Sequence, residues 1–263
     1  MELSLKDKSV LVTGGNRGIG LAIALAFADE GANVAICGRD RAVLANAKSL
    51  IGARNVKVHA ITANLFTAEG CERAISEAVD AFGGLNVLVS NASTNIGGTL
   101  ETLTDDQAIE RVLGKTLAAM RLSRAALPHF RNAGGGRIIC IGGTAARTPG
   151  KTSLPSGLGN SSLVNFAKHF SNDVGPENIT VNVVHPPFTK TDRYPARLQA
   201  RAEELDVSLE EAEASFAADF PIGRIVEPAD IAPMVLFLAS PHAAAVTGQA
   251  IAVDGGSSQV ITY

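Results

Sequence analysis

The sequence predicts a doubly wound α/β domain, in which helices cover both faces of a seven-stranded parallel sheet. Three observations favour this fold class: apolar runs alternate with helical patterns, the chain has 263 residues, and 46% hydrophobic residues accompany 26 glycines without any tryptophan. Strands that are buried on both faces read as continuous apolar runs. Since an α/β domain of about 250 residues is common, we expect residues 1–263 to form one domain.

Seven apolar runs predict the strands, and they occupy residues 9–12, 34–36, 56–61, 87–89, 137–141, 180–184 and 250–253. The helices between them carry start and stop signals. Gly31 follows the first helix as a C-terminal stop, Asp40 can cap the second, and Pro228 fits the first turn of the last. Because such crossovers are right-handed, this order predicts a Rossmann-like three-layer sandwich.

Residues 190–220 interrupt the alternation with two polar helical stretches that are rich in alanine and glutamate. An insertion after the sixth strand lies at the cleft side of such a sheet. Insertions of this kind commonly close over a ligand, so we expect a small helical lid.

Charge and cysteine usage limit the class of partner. The formal net charge is −3 and basic residues are scattered, which argues against nucleic acid or an acidic membrane and favours a small-molecule ligand. Cys37, Cys71 and Cys140 are spaced like neither a disulfide framework nor a zinc site, so we expect no bound metal. The start of the chain lacks the pattern of a leader, which predicts a cytoplasmic protein.

A glycine-rich run, TGGNRGIG at residues 13–20, leads from the first strand directly into a helix. Its glycines let the backbone approach a pyrophosphate, and the helix N-terminus supplies unpaired N–H groups and partial positive charge. At the end of the second strand, Gly38 stands where an NAD-selective fold usually presents an acid, and Arg39 follows it. With Arg17, Arg39 can bind a ribose 2′-phosphate, so we predict NADP(H) in preference to NAD(H).

Together with VTGQAIAVDGG at residues 246–256, these motifs resemble the short-chain dehydrogenase/reductase family over nearly the whole chain. The resemblance implies a homodimer or homotetramer that contacts its cofactor through one set of residues. That set comprises Gly14, Asn16, Arg17, Gly18, Ile19, Gly20, Arg39, Asn64, Asn91, Ala92 and Thr191.

In that family a tyrosine exchanges the substrate proton, a lysine four residues later lowers the pKa of that tyrosine, a serine polarises the substrate oxygen, and an asparagine supports a water relay. Matching residues 136–143 to the family's fifth strand puts Gly143 at the serine, Ser156 at the tyrosine and Asn160 at the lysine, while Thr116 falls at the asparagine. The resemblance is therefore to a divergent member without the usual catalytic residues, and no tyrosine elsewhere has a lysine four residues on.

Ser93 and Pro187 also depart from the family pattern, so the departures surround the nicotinamide half of the cofactor. The catalytic group stays unassigned. His185 has an ordinary pKa that suits proton transfer, and Lys151 and Tyr194 are further candidates. The candidates for the substrate pocket are Gly143, Thr144, Ser156, Asn160, His185 and Tyr194.

Three functions stay open from the sequence. The first is an NADP(H)-dependent oxidoreductase that acts on a small carbonyl or hydroxyl compound through a non-standard proton donor. The second is a non-redox enzyme on the same scaffold. The third is a cofactor-binding pseudoenzyme or regulatory subunit, and the fold does not decide among them.

Overall fold

The computed structural model describes residues 2–94 and 96–261, and its centre is a parallel sheet of seven strands in the order β3-β2-β1-β4-β5-β6-β7. The strands are β1 (Ser9–Thr13), β2 (Asn33–Gly38), β3 (Val58–Thr62), β4 (Val87–Ser90), β5 (Gly136–Ile141), β6 (Ile179–His185) and β7 (Ala250–Ala252). Each predicted strand is confirmed, with its ends within two residues of those observed. The order reverses between β1 and β4, where folds of this type bind their ligands.

Helices cover both faces of the sheet, which confirms the three-layer sandwich. The α-helices are α1 (Gly18–Asp29), α2 (Arg41–Gly52), α3 (Ala68–Phe82), α4 (Asp105–Val112), α5 (Ala118–Asn132), α6 (Leu154–Val174), α7 (Tyr194–Leu205), α8 (Leu209–Ala217) and α9 (Pro228–Ala239). One apolar layer packs α1, α2 and α9 against the sheet, and the other packs α3, α5 and α6. A π-helical turn, Leu113–Leu117, joins α4 to α5.

The predicted helix signals are confirmed in detail. Gly31 takes a φ of +78° just after α1, a conformation that favours glycine. The carboxylate of Asp40 accepts hydrogen bonds from the backbone N–H groups of Ala42 (2.9 Å) and Val43 (3.1 Å), which would otherwise lack partners. Pro228 is the first residue of α9.

Within residues 190–220 the two predicted helical stretches form α7 and α8, which pack against each other. Their role as a lid stays a prediction. In the part of the chain that the structure describes, no helix is both long and apolar enough to cross a membrane.

Candidate functional site

A cleft of about 640 Å³ opens at the carboxyl ends of β1, β2 and β4. All of the residues predicted to contact a cofactor line it, from Gly14 in the glycine-rich run to Thr191 before the lid. Sequence reasoning did not single out several further lining residues as contacts, namely Cys37, Asp40, Val43, Ala63, Leu65, Phe66, Gly114, Asp192 and Arg193. Most of these residues stand in the sequence at or just after the ends of predicted strands. Their closeness to those strand ends could have identified them as lining residues.

The glycine-rich run is shaped so that a ligand can approach its backbone. Gly14 has a φ of +64°, and a Cβ there would lie 3.0 Å from Nδ2 of Asn91. A Cβ on Gly20 would collide with the carbonyl oxygen of Gly14. Both positions therefore require glycine, and α1 begins at Gly18 with its free N–H groups directed towards the cleft end of the sheet.

Asn91 holds the loop after β1 to the loop after β4. Its Nδ2 donates to the carbonyl oxygens of Thr13 (2.9 Å) and Gly14 (3.3 Å). In return, Oγ1 of Thr13 accepts from the backbone N–H groups of Asn91 (2.9 Å) and Ala92 (3.1 Å). Asn91 thus shapes the floor of the cleft with its side chain.

The end of the cleft beside β2 is cationic. Arg17 and Arg39 are exposed there, and neither pairs with a carboxylate among the described residues. The neighbouring carboxylate of Asp40 is held by the N-terminus of α2. The guanidinium of Arg39 lies 6.0 Å from the ring centroid of Phe66, and Oδ1 of Asn64 accepts a hydrogen bond from the Phe66 N–H at 3.2 Å.

Ser156 does not line the cleft, and its hydroxyl accepts a hydrogen bond from Nη2 of Arg111 at 3.2 Å. The other terminal nitrogen of Arg111 donates to Oγ of Ser93 at 2.7 Å and to the carbonyl oxygen of Thr94. Arg111 is only 7% exposed, and burial lowers its pKa. A buried guanidinium therefore joins the loop after β4 to α6, and the sequence analysis had missed it because a single arginine in a helix carries no motif.

Asn160 explains why residue 143 is a glycine. Its Nδ2 donates to the carbonyl oxygen of Gly143 at 3.3 Å, and a Cβ on Gly143 would lie 2.7 Å from that nitrogen. The φ of Gly143 is 169°, an extended conformation that any residue adopts. A side chain at 143 would therefore require the Asn160 amide to move, so positions 143 and 160 are physically coupled.

His185 is a neutral, buried side chain. Its Nδ1 accepts a hydrogen bond from the backbone N–H of Gly143 at 2.9 Å, so the ring proton resides on Nε2. Burial, together with the nearby positive charges of Arg147 and Lys115, lowers its pKa to about 4. The expectation that its ordinary pKa suits proton transfer at neutral pH is therefore wrong, because the imidazolium is excluded by its surroundings.

Lys115, within the π-helical turn, points to the carboxyl end of β5. Its Nζ donates to the carbonyl oxygen of Gly142 at 3.1 Å, and the side chain is only 6% exposed. Burial lowers its pKa to about 7, and the positive charge of Arg111 contributes to that lowering.

Thr116 instead turns its hydroxyl to α6, where it lies 3.1 Å from the carbonyl oxygen of Gly159. Lys115, and not Thr116, therefore faces the end of β5. The contacts of Thr116 do not support the prediction that it takes the place of the family's asparagine.

Thr144 and Tyr194 complete the predicted pocket residues. The backbone N–H of Thr144 donates to the carbonyl oxygen of Pro186 at 3.1 Å, so Thr144 lies beside the loop after β6. Tyr194 lies apart from that hydrogen-bonded group, because its ring packs with Phe188 and Phe216 at the start of α7. Burial raises the pKa of Tyr194, which makes it a weaker acid.

The chain was compared with known proteins. The family model described as enoyl-(acyl carrier protein) reductase matches residues 14–258. The hydroxynaphthalene reductase-like protein Arp2 of Metarhizium anisopliae is 34% identical over 262 residues, which cover 97% of this chain and 96% of the relative.

Two solved structures are similar over their whole length. L-Sorbose reductase from Gluconobacter frateurii, crystallised with NADPH and L-sorbose, superposes with a TM-score of 0.95 at 28% identity and covers 99% of this chain and 100% of that one. Actinorhodin polyketide ketoreductase with NADPH gives a TM-score of 0.91 at 30% identity, with 98% of this chain and 99% of that chain covered. The fold, the match of the family model and these relatives agree, and the chain belongs to the short-chain dehydrogenase/reductase family.

Proposed function

We propose that this protein is an NADP(H)-dependent oxidoreductase that acts on a small carbonyl or hydroxyl compound without the tyrosine and lysine usual in its family. The observation that supports NADP(H) most directly is the cationic end of the cleft, where neither Arg17 nor Arg39 forms an ion pair with a described carboxylate. Relatives of the same fold were crystallised with NADPH. When bound, NADPH supplies the hydride for the reduction of a carbonyl carbon.

The residues along the cleft suit such a cofactor. Arg39 and Arg17 match the geometry and charge of a 2′-phosphate, and the N–H groups at the start of α1 suit the pyrophosphate. Gly14 and Gly20 have no side chains, and a Cβ at either would meet backbone atoms or Asn91. The glycine-rich run therefore stays open for the close approach of a pyrophosphate to its backbone. Thr191, at the far side of the same cleft, is proposed to hold the carboxamide.

Lys115 is the proposed proton donor. The hydroxyl of Ser156 is a very weak acid, and His185 is neutral with its pKa near 4. The ammonium of Lys115 has a pKa of about 7, and its Nζ sits at the end of β5 beside Gly142. A donor with a pKa close to the operating pH transfers protons efficiently. Nζ gives its proton to the substrate oxygen and regains one from water.

Cofactor preference is tested by calorimetric titration of the wild type with NADPH and with NADH. One charge-assisted contact to the 2′-phosphate is worth about 1.5–3 kcal/mol, so NADPH should bind about 10- to 100-fold more tightly. Arg39→Asp should abolish or reverse that preference. Arg41→Asp is the matched control, because Arg41 is exposed two residues further along, at the start of α2, and does not line the cleft. Equal affinities in the wild type would refute the assignment of Arg39.

Turnover is tested by the loss of nicotinamide absorbance with a panel of carbonyl compounds. We expect little or no reduction of simple ketones and acetoacetyl esters, because Ser156, Asn160 and Gly143 do not supply the family's acid and oxygen ligand. Rapid turnover of that panel by both wild type and Lys115→Met would contradict the proposed donor. On a carbonyl compound that the wild type does reduce, Lys115→Gln, which keeps a polar side chain, should be as inactive as Lys115→Met.

A second candidate, a cofactor-binding subunit without turnover, draws support from Arg111. Its bonds to Ser93, Thr94 and Ser156 close the space beside the family's tyrosine position. Tight NADPH binding without turnover of any carbonyl compound, in either direction, would favour this candidate.

We also propose that the protein is a cytoplasmic homodimer or homotetramer and that residues 190–220 close over the bound ligand. Leu158 is 46% exposed on α6, which leaves apolar surface on that helix. Light scattering measures the number of subunits, and hydrogen exchange of α7 and α8 with and without NADPH measures the closure.

A further inference from the structure

Two buried cations lie behind the part of the cleft wall that Ser93 and Gly114 form, and neither has an acidic partner among the described residues. Arg111 and Lys115 are 7% and 6% exposed. Across residues 2–94 and 96–261, no carboxylate forms an ion pair with either side chain. Burial of an unpaired charge is costly, and buried cations in proteins usually meet an anion. The negative charge that would balance this pair is therefore expected from outside the chain.

The hydrogen bonding around the two cations is also incomplete. Nε of Arg111 and Nε2 of His185 are buried without a partner within the described chain, and both carry a proton to donate. Nζ of Lys115 has one acceptor, the carbonyl oxygen of Gly142, for its three N–H groups. Unused donors on buried groups indicate a missing acceptor.

The cleft reaches the neighbours of both cations. Ser93, whose hydroxyl accepts from Arg111, lines the cleft, and so does Gly114, the residue before Lys115. Arg111 and Lys115 do not line the cleft themselves and lie directly behind these two residues of its wall. The arginines near β2 lie at the other end of the same cleft, beside Gly38 and Asn64, so a cofactor phosphate at those arginines does not occupy this position.

We propose that the carbonyl substrate carries a carboxylate and that Arg111 anchors this group, with Lys115 as the second positive charge. The inference rests on the proposed function, since it names the substrate class of the same site. A carboxylate matches the planar fork of a guanidinium and accepts two parallel hydrogen bonds from it. Arg111 then exchanges its neutral acceptors, Ser93 and Ser156, for a charged one, and Nζ of Lys115 keeps the proton for the carbonyl oxygen.

Calorimetry tests this on protein saturated with NADP⁺. The probes are pyruvate, acetoacetate and levulinate, each compared with its own methyl ester, so that each pair differs chiefly in charge. We expect the acid of at least one pair to bind about tenfold or more tightly than the ester, the ratio that one charge-assisted bond supplies. Arg111→Gln, which keeps hydrogen-bonding capacity, should reduce that ratio to about one.

Arg137→Gln is the matched control. Arg137 is also a partly buried arginine bound to backbone carbonyl oxygens, those of Gly136 and Asn178, but it lies at the amino end of β5, away from the cleft. Its replacement should leave the ratio of acid to ester affinity unchanged. Equal or absent binding of the acid in every pair would overturn the proposal. So would an Arg111→Gln variant in which acid and ester lose affinity equally, since that result indicates a structural role only.

The two proposals fail in different ways. If NADP⁺ does not bind, the proposed function is wrong, and the ratio of acid to ester affinity is then measured on the free protein and still decides the substrate class. If NADP⁺ binds and the ratio is one in the wild type, the carboxylate proposal alone is wrong.

Discussion

Replacing Lys115 by methionine should stabilise the protein at neutral pH, although it removes a hydrogen bond. The side chain is 6% exposed, and burial lowers its pKa from the usual 10.5 to about 7. Between these two values the unfolded chain binds a proton that the folded protein does not. Folding of the wild type is therefore penalised most at and below pH 7, and the penalty disappears as the pH rises to 10.5.

The size of the effect follows from the two pKa values. The linkage relation gives a penalty of about 5 kcal/mol at pH 6.5 and about 2 kcal/mol at pH 9. Loss of the hydrogen bond to Gly142 costs the variant about 1 kcal/mol at either pH. We therefore expect Lys115→Met to raise the free energy of unfolding by about 4 kcal/mol at pH 6.5 and by about 1 kcal/mol at pH 9.

Urea unfolding followed by circular dichroism measures this difference, since the chain contains no tryptophan. Lys48→Met is the control, because Lys48 is exposed on α2, and it should change stability by less than about 0.5 kcal/mol at both pH values. Ionisations elsewhere cancel between wild type and variant. A stability difference that stays the same from pH 6.5 to pH 9, or a variant less stable than the wild type at pH 6.5, would refute the view that Lys115 is buried at a cost.

Three further predictions follow from the site and its surroundings. Reduction should slow as the pH rises above about 7, because Lys115 loses the proton that the substrate needs, and any residual rate of Lys115→Met should depend little on pH. Asp40→Ala should lower the free energy of unfolding by about 0.5–2 kcal/mol, whereas Asp40→Asn, which keeps the capping oxygen, should cost less. Ser156→Tyr with Asn160→Lys should raise reductase activity only when Gly143→Ser accompanies them; equal rates for the double and triple variants would contradict the role assigned to position 143.

The part of the cleft formed by the glycine-rich run and the end of β2 was predictable, because backbone geometry determines it. Gly14 has a φ of +64°, and a Cβ on Gly20 would collide with the carbonyl oxygen of Gly14, so both requirements arise within the strand, turn and helix themselves. Arg39 follows β2 directly, so the place of its side chain at the cleft follows from the strand itself. Local sequence is sufficient for such features, and for the strands and helix caps that position them.

The surroundings of Lys115, His185 and Arg111 could not be predicted, because side-chain contacts between distant elements determine them. Matching residues 111–117 to the family pattern placed Thr116 at the asparagine position, but within the π-helical turn Lys115 is the residue that faces the end of β5. The low pKa of His185 depends on burial and on charges from other elements, among them Arg147. Arg111 meets Ser156 across 45 positions of sequence, a pairing that no local pattern encodes.

The contact between Gly143 and Asn160 makes the two positions epistatic. A serine at 143 would place its Cβ 2.7 Å from the Asn160 amide, which would have to move, and a lysine introduced at 160 has no serine or tyrosine to work with. Any single reversion towards the family pattern therefore meets a steric obstacle or gains nothing. Lineages that contain this pair are expected to retain it, and sequence surveys should find glycine and asparagine at these positions gained or lost together.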